Sequence, residues 1–229
     1  MKNIFILIAF FCLSHVASAQ RIHKIILSDK GATTTTCFLL NENVVIYLSQ
    51  EGEIKEWGVD LYSDRPADYV NRKITPYGGR VEYYTEKDNE AFRGKLKYIG
   101  NVMITYYASF DEKSMVGKIK SIGTNTMSYY TAYDDPSAQG KLKSIGRMNF
   151  AYYSSFDNDA YKGKIKNAGS VGFTYYSSTD DKAYSGKIKS MNNMPFTYYS
   201  SQDRVGLRGV QKSGNQLQVI NGITYWIKN

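Results

Sequence analysis

Tyrosine and lysine recur in this 229-residue chain at a spacing that could support ligand binding. A Tyr-Tyr pair and a Lys-x-Lys triplet return every 23 residues through most of the chain. Rows of tyrosine rings could stack on sugars, and rows of lysines could attract anionic polymers. The competing interpretation is a solvated sheet face with ladders of amphipathic side chains. We name the candidate ligand surface the tyrosine–lysine face, and it consists of Tyr107, Tyr130, Tyr153, Tyr176, Tyr199, Lys97, Lys120, Lys143, Lys166 and Lys189.

Carboxylates follow the same period and form small acidic clusters. Asp134-Asp135, Asp157 to Asp159 and Asp180-Asp181 could offer oxygen ligands to calcium. Aspartate also stabilises turns by accepting hydrogen bonds from its own backbone, and this interpretation is favoured because the equivalent segments 111–113 and 202–204 carry basic residues. A pair of carboxylates could act as in glycosidases, but nothing distinguishes one pair from the others. We therefore predict no metal ligand and no catalytic residue.

Histidine and cysteine are too scarce for the usual metal or nucleophile sites. Once an N-terminal signal is removed, only His23 and Cys37 remain, which excludes a His/Cys zinc site and an internal disulfide. His23 lies in an alternating, strand-like stretch, and we expect it to be an exposed strand residue rather than a catalytic base. No glycine-rich phosphate loop is present, and no cofactor is predicted.

The elements that position these side chains are predicted to be pairs of short strands. Each copy begins at a glycine and contains a Lys-aliphatic-Lys strand, a Gly-x turn and a strand rich in β-branched and aromatic residues. Parallel stacking would place equivalent lysines about 4.8 Å apart, whereas an antiparallel meander separates them by about 9.6 Å. We therefore favour the meander, because the larger separation weakens the repulsion between the lysine charges. In the meander one face is apolar and contains Ile104 and Tyr106, and the other is mixed and contains Thr105 and Tyr107.

The N-terminus has the pattern of a secretory signal. Lys2 precedes an apolar run from Ile4 to Leu13, and Ala17-Ser18-Ala19 suits cleavage after Ala19. The apolar run is shorter than the roughly 20 residues needed to span a membrane. The mature chain would carry 28 basic and 21 acidic residues, a formal charge of +7.

These patterns predict one all-β domain after the signal at 1–19. Capping strands are expected over 20–51, about seven to eight 23-residue two-strand repeats in a twisted or curled antiparallel meander over 52–214, and a capping hairpin over 215–229. Within the repeats, 61–63 is expected to be a shortened second strand and 72–79 a divergent first strand. The caps would protect the open edges of the sheet from aggregation. Asn221-Gly222 between apolar runs is a strong hairpin signal.

The order of residues within a copy resembles a known repeat family. Residues Tyr152 to Asp157 read Y-Y-S-S-F-D and lead into Gly163-Lys164-Ile165. This layout is similar to the tyrosine-aspartate (YD/RHS-type) repeat of large secreted bacterial shells and teneurin-type proteins, although the Asp-to-Gly spacing is longer and lysine replaces arginine. The chain also resembles short secreted β-repeat proteins of Gram-negative bacteria. The resemblance covers roughly 52–214 and implies strand hairpins, with no catalytic residue to transfer.

The expected role is an exported, non-catalytic structural or interaction scaffold of a Gram-negative cell envelope, secreted or periplasmic. One alternative is a carbohydrate or polyanion binding module that uses the tyrosine–lysine face. A second alternative is a carboxylate-based hydrolase. An envelope protein or a glycan is the expected partner, and no nucleic acid is expected because the chain is exported and lacks arginine-rich patches.

Overall fold

A computed structural model describes residues 20–40, 43–60 and 74–228, and these residues form an all-β fold. The predicted signal at 1–19 and the predicted strand segments at 61–63 and 72–73 lie outside the described residues. Among the described residues, no helix has the length and apolarity to cross a membrane. The strands are β1 (Arg21–Ser28), β2 (Thr34–Leu39), β3 (Val44–Ser49), β4 (Ile54–Val59), β5 (Val81–Tyr83), β6 (Leu96–Ile99), β7 (Val102–Tyr106), β8 (Ile119–Ile122), β9 (Asn125–Tyr129), β10 (Leu142–Ile145), β11 (Met148–Tyr152), β12 (Ile165–Ala168), β13 (Val171–Tyr175), β14 (Ile188–Met191), β15 (Met194–Pro195), β16 (Thr197–Tyr198), β17 (Gln211–Ser213), β18 (Leu217–Ile220) and β19 (Ile223–Lys228). Short 3-10 turns cover Glu90–Phe92 and Val205–Leu207.

The repeats form the antiparallel meander that the sequence predicts. Strands β5 to β15 lie side by side in chain order in one eleven-stranded sheet. Two-residue turns join the strands of each hairpin, and in the first four hairpins glycine occupies the first turn position, as at Gly100 with φ +57°. In the last hairpin Asn192 and Asn193 both take positive φ, which is the backbone of a type I′ turn. Pro195 follows, and the continuation β16 pairs with β17 as a separate two-stranded sheet.

The chain termini form a second sheet instead of extending the first. Its six strands lie in the order β18-β19-β1-β2-β3-β4, and β1 pairs with β19 in parallel. The predicted hairpin at Asn221-Gly222 is present, but it pairs with β1 rather than covering the last edge of the meander. Residues 52–59 resemble a repeat strand in sequence, yet 54–59 of them form β4 and pair with β3. The long apolar face of the meander explains this arrangement, because a sheet face of that kind must be buried against another layer.

The core lies between the two sheets. Ile104, Ile122 and Phe173 of the meander are fully or almost fully buried, as are Phe38 and Ile46 of the six-stranded sheet. Alternation along the repeat strands follows the prediction, since Ile104 and Tyr106 are buried whereas Thr105 and Tyr107 are half-buried.

Two turns of the six-stranded sheet dock on the meander where its strands bulge. The register shifts between Leu142 and Ser144, and the Leu142 amide donates a 2.7 Å hydrogen bond to the Gln50 carbonyl. The Ile188 amide, at the equivalent point two copies later, donates to the Asp29 carbonyl at 3.1 Å. The bulges thus release backbone donors that fix one sheet on the other.

Truncation of a phenylalanine between the sheets should unfold the protein far more readily than truncation of one at a loop tip. Phe173 is 1% exposed and its ring centroid lies 6.4 Å from that of Tyr225 in the other sheet, whereas Phe156 is 95% exposed. Urea denaturation should show that Phe173→Ala lowers the free energy of unfolding by about 3–5 kcal/mol. The matched variant Phe156→Ala should stay within about 0.5 kcal/mol of wild type. Equal losses in the two variants would contradict the two-layer core.

Candidate functional site

Four of the five tyrosines of the tyrosine–lysine face donate hydroxyl hydrogen bonds to backbone carbonyls of the next copy of the repeat. Tyr107 donates to the carbonyl of Met127 at 2.8 Å, and Tyr130 donates to that of Phe150 at 2.9 Å. Tyr153 and Tyr176 make the same bond 20 residues ahead, at 3.0 and 2.9 Å. The rings are half-buried. These hydroxyls therefore serve the contact between neighbouring copies.

The lysines of the same face lie over these tyrosine rings. The Nζ of Lys120 is 5.2 Å from the ring centroid of Tyr107, and that of Lys143 is 5.1 Å from the centroid of Tyr130. The pattern also holds for Lys166 over Tyr153 and Lys189 over Tyr176. It extends one residue beyond the face at each end, where Lys97 lies over Tyr84 and Lys212 lies over Tyr199. The structure thus brings the predicted face together as a cation–π ladder. One face of each ring is occupied by an ammonium group, while the lysines from Lys120 onward stay exposed.

A second column of lysines occupies a different environment from the first. Lys95 shares strand parity with Lys97, and the sequence places both on one face. The register shift opposite Leu96 separates them, so that the Lys95 Nζ lies 5.3 Å from the ring centroid of the core-facing Tyr106. Each lysine of this column donates to a glycine carbonyl 22 residues ahead, as Lys141 does to Gly163 at 2.6 Å. The other members are Lys95, Lys118, Lys164 and Lys187, which donate to Gly117, Gly140, Gly186 and Gly209.

Glycine is required at the acceptor position of this bond. Gly117 has φ +73°, and its equivalents in the other copies have φ between +72° and +76°. A Cβ at Gly117 would lie 2.9 Å from the carbonyl oxygen of Ala91 in the previous copy. Both the left-handed backbone and the close approach exclude a side chain.

Burial lowers the pKa of four lysines of the second column. Desolvation lowers the pKa of Lys95, Lys118 and Lys141, and it lowers the pKa of Lys164 to about 8, with a smaller contribution from the charge of Lys30. Lys187, at the end of the column, forms a 2.7 Å ion pair with Asp29 of the six-stranded sheet.

The aspartate column forms turns, as predicted. The Asp134 carboxylate accepts hydrogen bonds from the Thr131 amide at 2.7 Å and from the Thr131 hydroxyl at 3.0 Å. Hydrogen bonds from the same amide and hydroxyl lower the pKa of Asp134. Within the described residues, no group of three or more His, Cys, Asp or Glu side chains is arranged to hold a metal ion.

A hydrogen bond between successive loops was not predicted from the sequence. Asp135 accepts from the amide and hydroxyl of Ser155 in the next copy, at 3.0 and 2.9 Å. A hydrogen bond from the Ser137 hydroxyl, together with those from Ser155, lowers the pKa of Asp135 to about 2. Asn89 and Ser109, Asn158 and Ser178, and Asp181 and Ser201 form the same connection. The sequence signal was a serine 20 residues after each short Asx residue, and it is missing where Glu112 is followed by Ala132.

The prediction for His23 was wrong. His23 is 7% exposed and Cys37 is fully buried, on the neighbouring strands β1 and β2. The alternation of polar and apolar residues failed here because a bulge between Ile22 and Lys24 changes the direction of the side chains.

A cleft of about 580 Å³ lies where the edge strand β4 faces the start of the meander. Its lining includes Trp57, Glu51 and Glu53 from one sheet and Lys95 and Lys118 from the other. Burial raises the pKa of Glu51, but hydrogen bonds from Ser49 and Gln50 outweigh it and hold the net pKa below its usual value. Sequence analysis could not find this cleft because its two walls are far apart in the chain.

Comparison of this chain with protein-family models, with curated proteins and with solved structures finds no match. The interpretation of the site therefore depends on the geometry alone.

Removal of one tyrosine hydroxyl that bonds to the next copy should destabilise the fold, whereas removal of an exposed tyrosine hydroxyl should not. In Tyr130→Phe the Phe150 carbonyl loses its side-chain donor, and we expect the free energy of unfolding to fall by about 0.5–1.5 kcal/mol. Tyr133 is 95% exposed, so Tyr133→Phe should match wild type in the same urea titration. An unchanged free energy of unfolding in Tyr130→Phe would show that the hydrogen bond between copies contributes no stability.

The low pKa of Lys164 should make stability rise with pH. Between about pH 8 and the ordinary lysine pKa near 10.4, the unfolded chain binds more protons on this side chain than the folded chain does, so the free energy of unfolding increases with pH. Above about pH 10 buried tyrosines such as Tyr129, whose pKa burial raises, should reverse the trend. Urea denaturation from pH 7 to 10 should show a smaller rise in Lys164→Met than in wild type. The exposed-site control Lys182→Met should keep the wild-type slope, and an unchanged slope in Lys164→Met would contradict the prediction.

Proposed function

We propose that this chain is an exported, non-catalytic scaffold of the cell envelope that acts by interaction with other envelope components. The observation that carries this proposal is that the repeated polar side chains bond to the backbone of neighbouring copies. The column tyrosines and the second lysine column direct their polar atoms to carbonyls of the neighbouring copy. Side chains that hold an array together are those expected of a rigid structural support.

The direction of the carboxyl pKa shifts supports a non-catalytic role. A glycosidase-type pair needs one carboxyl whose pKa is raised, so that it can act as a general acid near neutral pH. Among the described carboxyl groups whose pKa departs from its ordinary value, the pKa is lowered in every case, including Glu51 in the cleft and Asp135 in the loops. These groups are ionised hydrogen-bond acceptors rather than proton donors.

A polyanion-binding role is the second candidate, favoured by the exposed lysines of the tyrosine–lysine face. Lys120, Lys143 and Lys166 lie two strands apart from one another, at intervals of about 9.6 Å. Such binding would weaken steeply as salt is added. Binding that resists salt would need contacts other than these ammonium groups.

Export and envelope association test the main proposal. The full chain expressed in a Gram-negative host should lose residues 1–19, begin at Gln20 by mass spectrometry, and sediment with the envelope after cell fractionation. The variant Ala17→Arg/Ala19→Arg should remain uncleaved, because large charged residues do not suit the cleavage site. A chain that keeps Met1 and stays in the cytoplasm would overturn the proposal.

A further inference from the structure

Three aromatic side chains project into solvent from successive loops of the meander. Phe110 is 85% exposed, and Tyr133 and Phe156 are each 95% exposed. They occupy the same position of three consecutive copies, and we call them the aromatic row. Rings so exposed contribute almost nothing to the core, and their recurrence at one position of three consecutive loops calls for an explanation that scattered exposed rings do not need.

The loops hold the three rings in equivalent positions. Each ring occupies the third residue of a four-residue turn, closed for Tyr133 by a 3.2 Å hydrogen bond from the Asp134 amide to the Thr131 carbonyl. The equivalent bonds at Asp111 and Asp157 are 3.0 and 3.1 Å. In each turn the aspartate also accepts from the amide of the first residue, at 2.6–2.7 Å across the copies. The rings therefore leave the backbone at the same point and in the same turn geometry.

Contacts between loops further restrain the row. The bonds from Ser155 to Asp135 connect the loop of Phe156 with that of Tyr133, and Asn89 connects the loop of Phe110 with the preceding one. Between the loops of Phe110 and Tyr133 the equivalent residues are Glu112 and Ala132, which do not make this bond. A platform that is fixed before a ligand arrives loses less conformational entropy on binding.

We propose that the aromatic row binds a linear β-linked polysaccharide across the loops at one end of the meander strands, and this inference rests on the proposed envelope function. Neighbouring rings are two strands apart, about 9.6 Å, and the whole row spans about 19 Å. An extended β-linked glycan presents the same ring face at every second sugar, with a repeat close to this spacing. Each aromatic side chain would stack on alternate sugars of one chain.

Polar groups beside the row suit a sugar better than a lipid. The exposed Ser109, whose hydroxyl oxygen accepts from the Asn89 amide, lies in the loop of Phe110. The exposed Gln139, whose amide nitrogen donates to the carbonyls of Ala132 and Asp134, lies in the loop of Tyr133. Asp159, whose side chain is 85% exposed and pairs with Lys162, lies three residues from Phe156. The hydroxyl, amide and carboxylate oxygens of these side chains can accept further hydrogen bonds from the hydroxyls of a glycan, whereas a charged pair next to an inserting ring opposes entry into a bilayer.

Calorimetric titration of the mature chain, Gln20 to Asn229, tests the proposal. The probes are β-linked glucose and N-acetylglucosamine oligosaccharides, as hexasaccharides and as disaccharides, at moderate salt. At least one hexasaccharide should bind about tenfold or more tightly than its disaccharide, because only the longer chain reaches more than one ring. Phe110→Ala/Tyr133→Ala/Phe156→Ala should weaken that binding by about tenfold or more, while Tyr133→Phe should preserve it since stacking needs the ring alone.

The repeat itself supplies a matched control. Lys87, Thr179 and Gln202 occupy the same exposed position in other copies, so Lys87→Ala/Thr179→Ala/Gln202→Ala changes three loop tips without removing a ring. This control should bind as wild type does. An equal loss in the control, or no binding of wild type to any probe, would overturn the proposal.

Two further measurements test whether the aromatic row binds a membrane or a second copy of the chain instead of a glycan. Sedimentation of the mature chain with anionic phospholipid vesicles, or self-association in analytical ultracentrifugation, would overturn the glycan proposal if either is lost in the triple aromatic variant. A chain that is exported and envelope-bound but binds no glycan contradicts this inference alone. A chain retained in the cytoplasm contradicts the proposed function instead, whatever it binds after purification.

Discussion

The architecture depends on hydrogen bonds that side chains of one copy donate to the backbone of the next. A tyrosine hydroxyl reaches 20 residues ahead and a lysine ammonium 22 residues ahead, and both end on main-chain carbonyls. The acceptor carbonyl exists at the right place only if the next copy has the same length and the same turns. The constant 23-residue period is therefore a geometric requirement of these bonds, and a single inserted residue would break both series at that point.

The six-stranded sheet covers an apolar face that the repeats cannot bury by themselves. Each hairpin leaves isoleucine, methionine or phenylalanine on one face, and stacking more hairpins only enlarges that face. The strands at the two ends of the chain pair as β1 and β19 and cover it. Their turns are fixed by backbone hydrogen bonds to the bulges and by the ion pair of Asp29 with Lys187. Removal of either terminal segment would thus affect the core, not merely an edge.

Function in such a molecule belongs to side chains that the fold does not need. The tyrosine–lysine face is largely engaged in internal contacts, and its ring faces carry ammonium groups. The aromatic row lies outside those contacts, on turns that are rigid for structural reasons. A periodic support that presents rings at a fixed interval is suited to a periodic ligand, whereas the cleft beside β4 is suited to a small one.

The strands, the antiparallel order and the turn role of aspartate could be predicted from the sequence because each depends on residues close together in the chain. Alternation of polar and apolar residues, Gly-x turns and Asn221-Gly222 are local signals. The exposure of the aromatic row could also be predicted from the sequence. The equivalent position in other copies holds the polar residues Lys87, Thr179 and Gln202, which a buried position would not hold. Tertiary structure alone decided that residue 24 lies beside residue 224, that a bulge separates Lys95 from Lys97, and that His23 is buried. These outcomes depend on which distant surface covers the apolar face, and that is settled by the total area buried rather than by any local pattern.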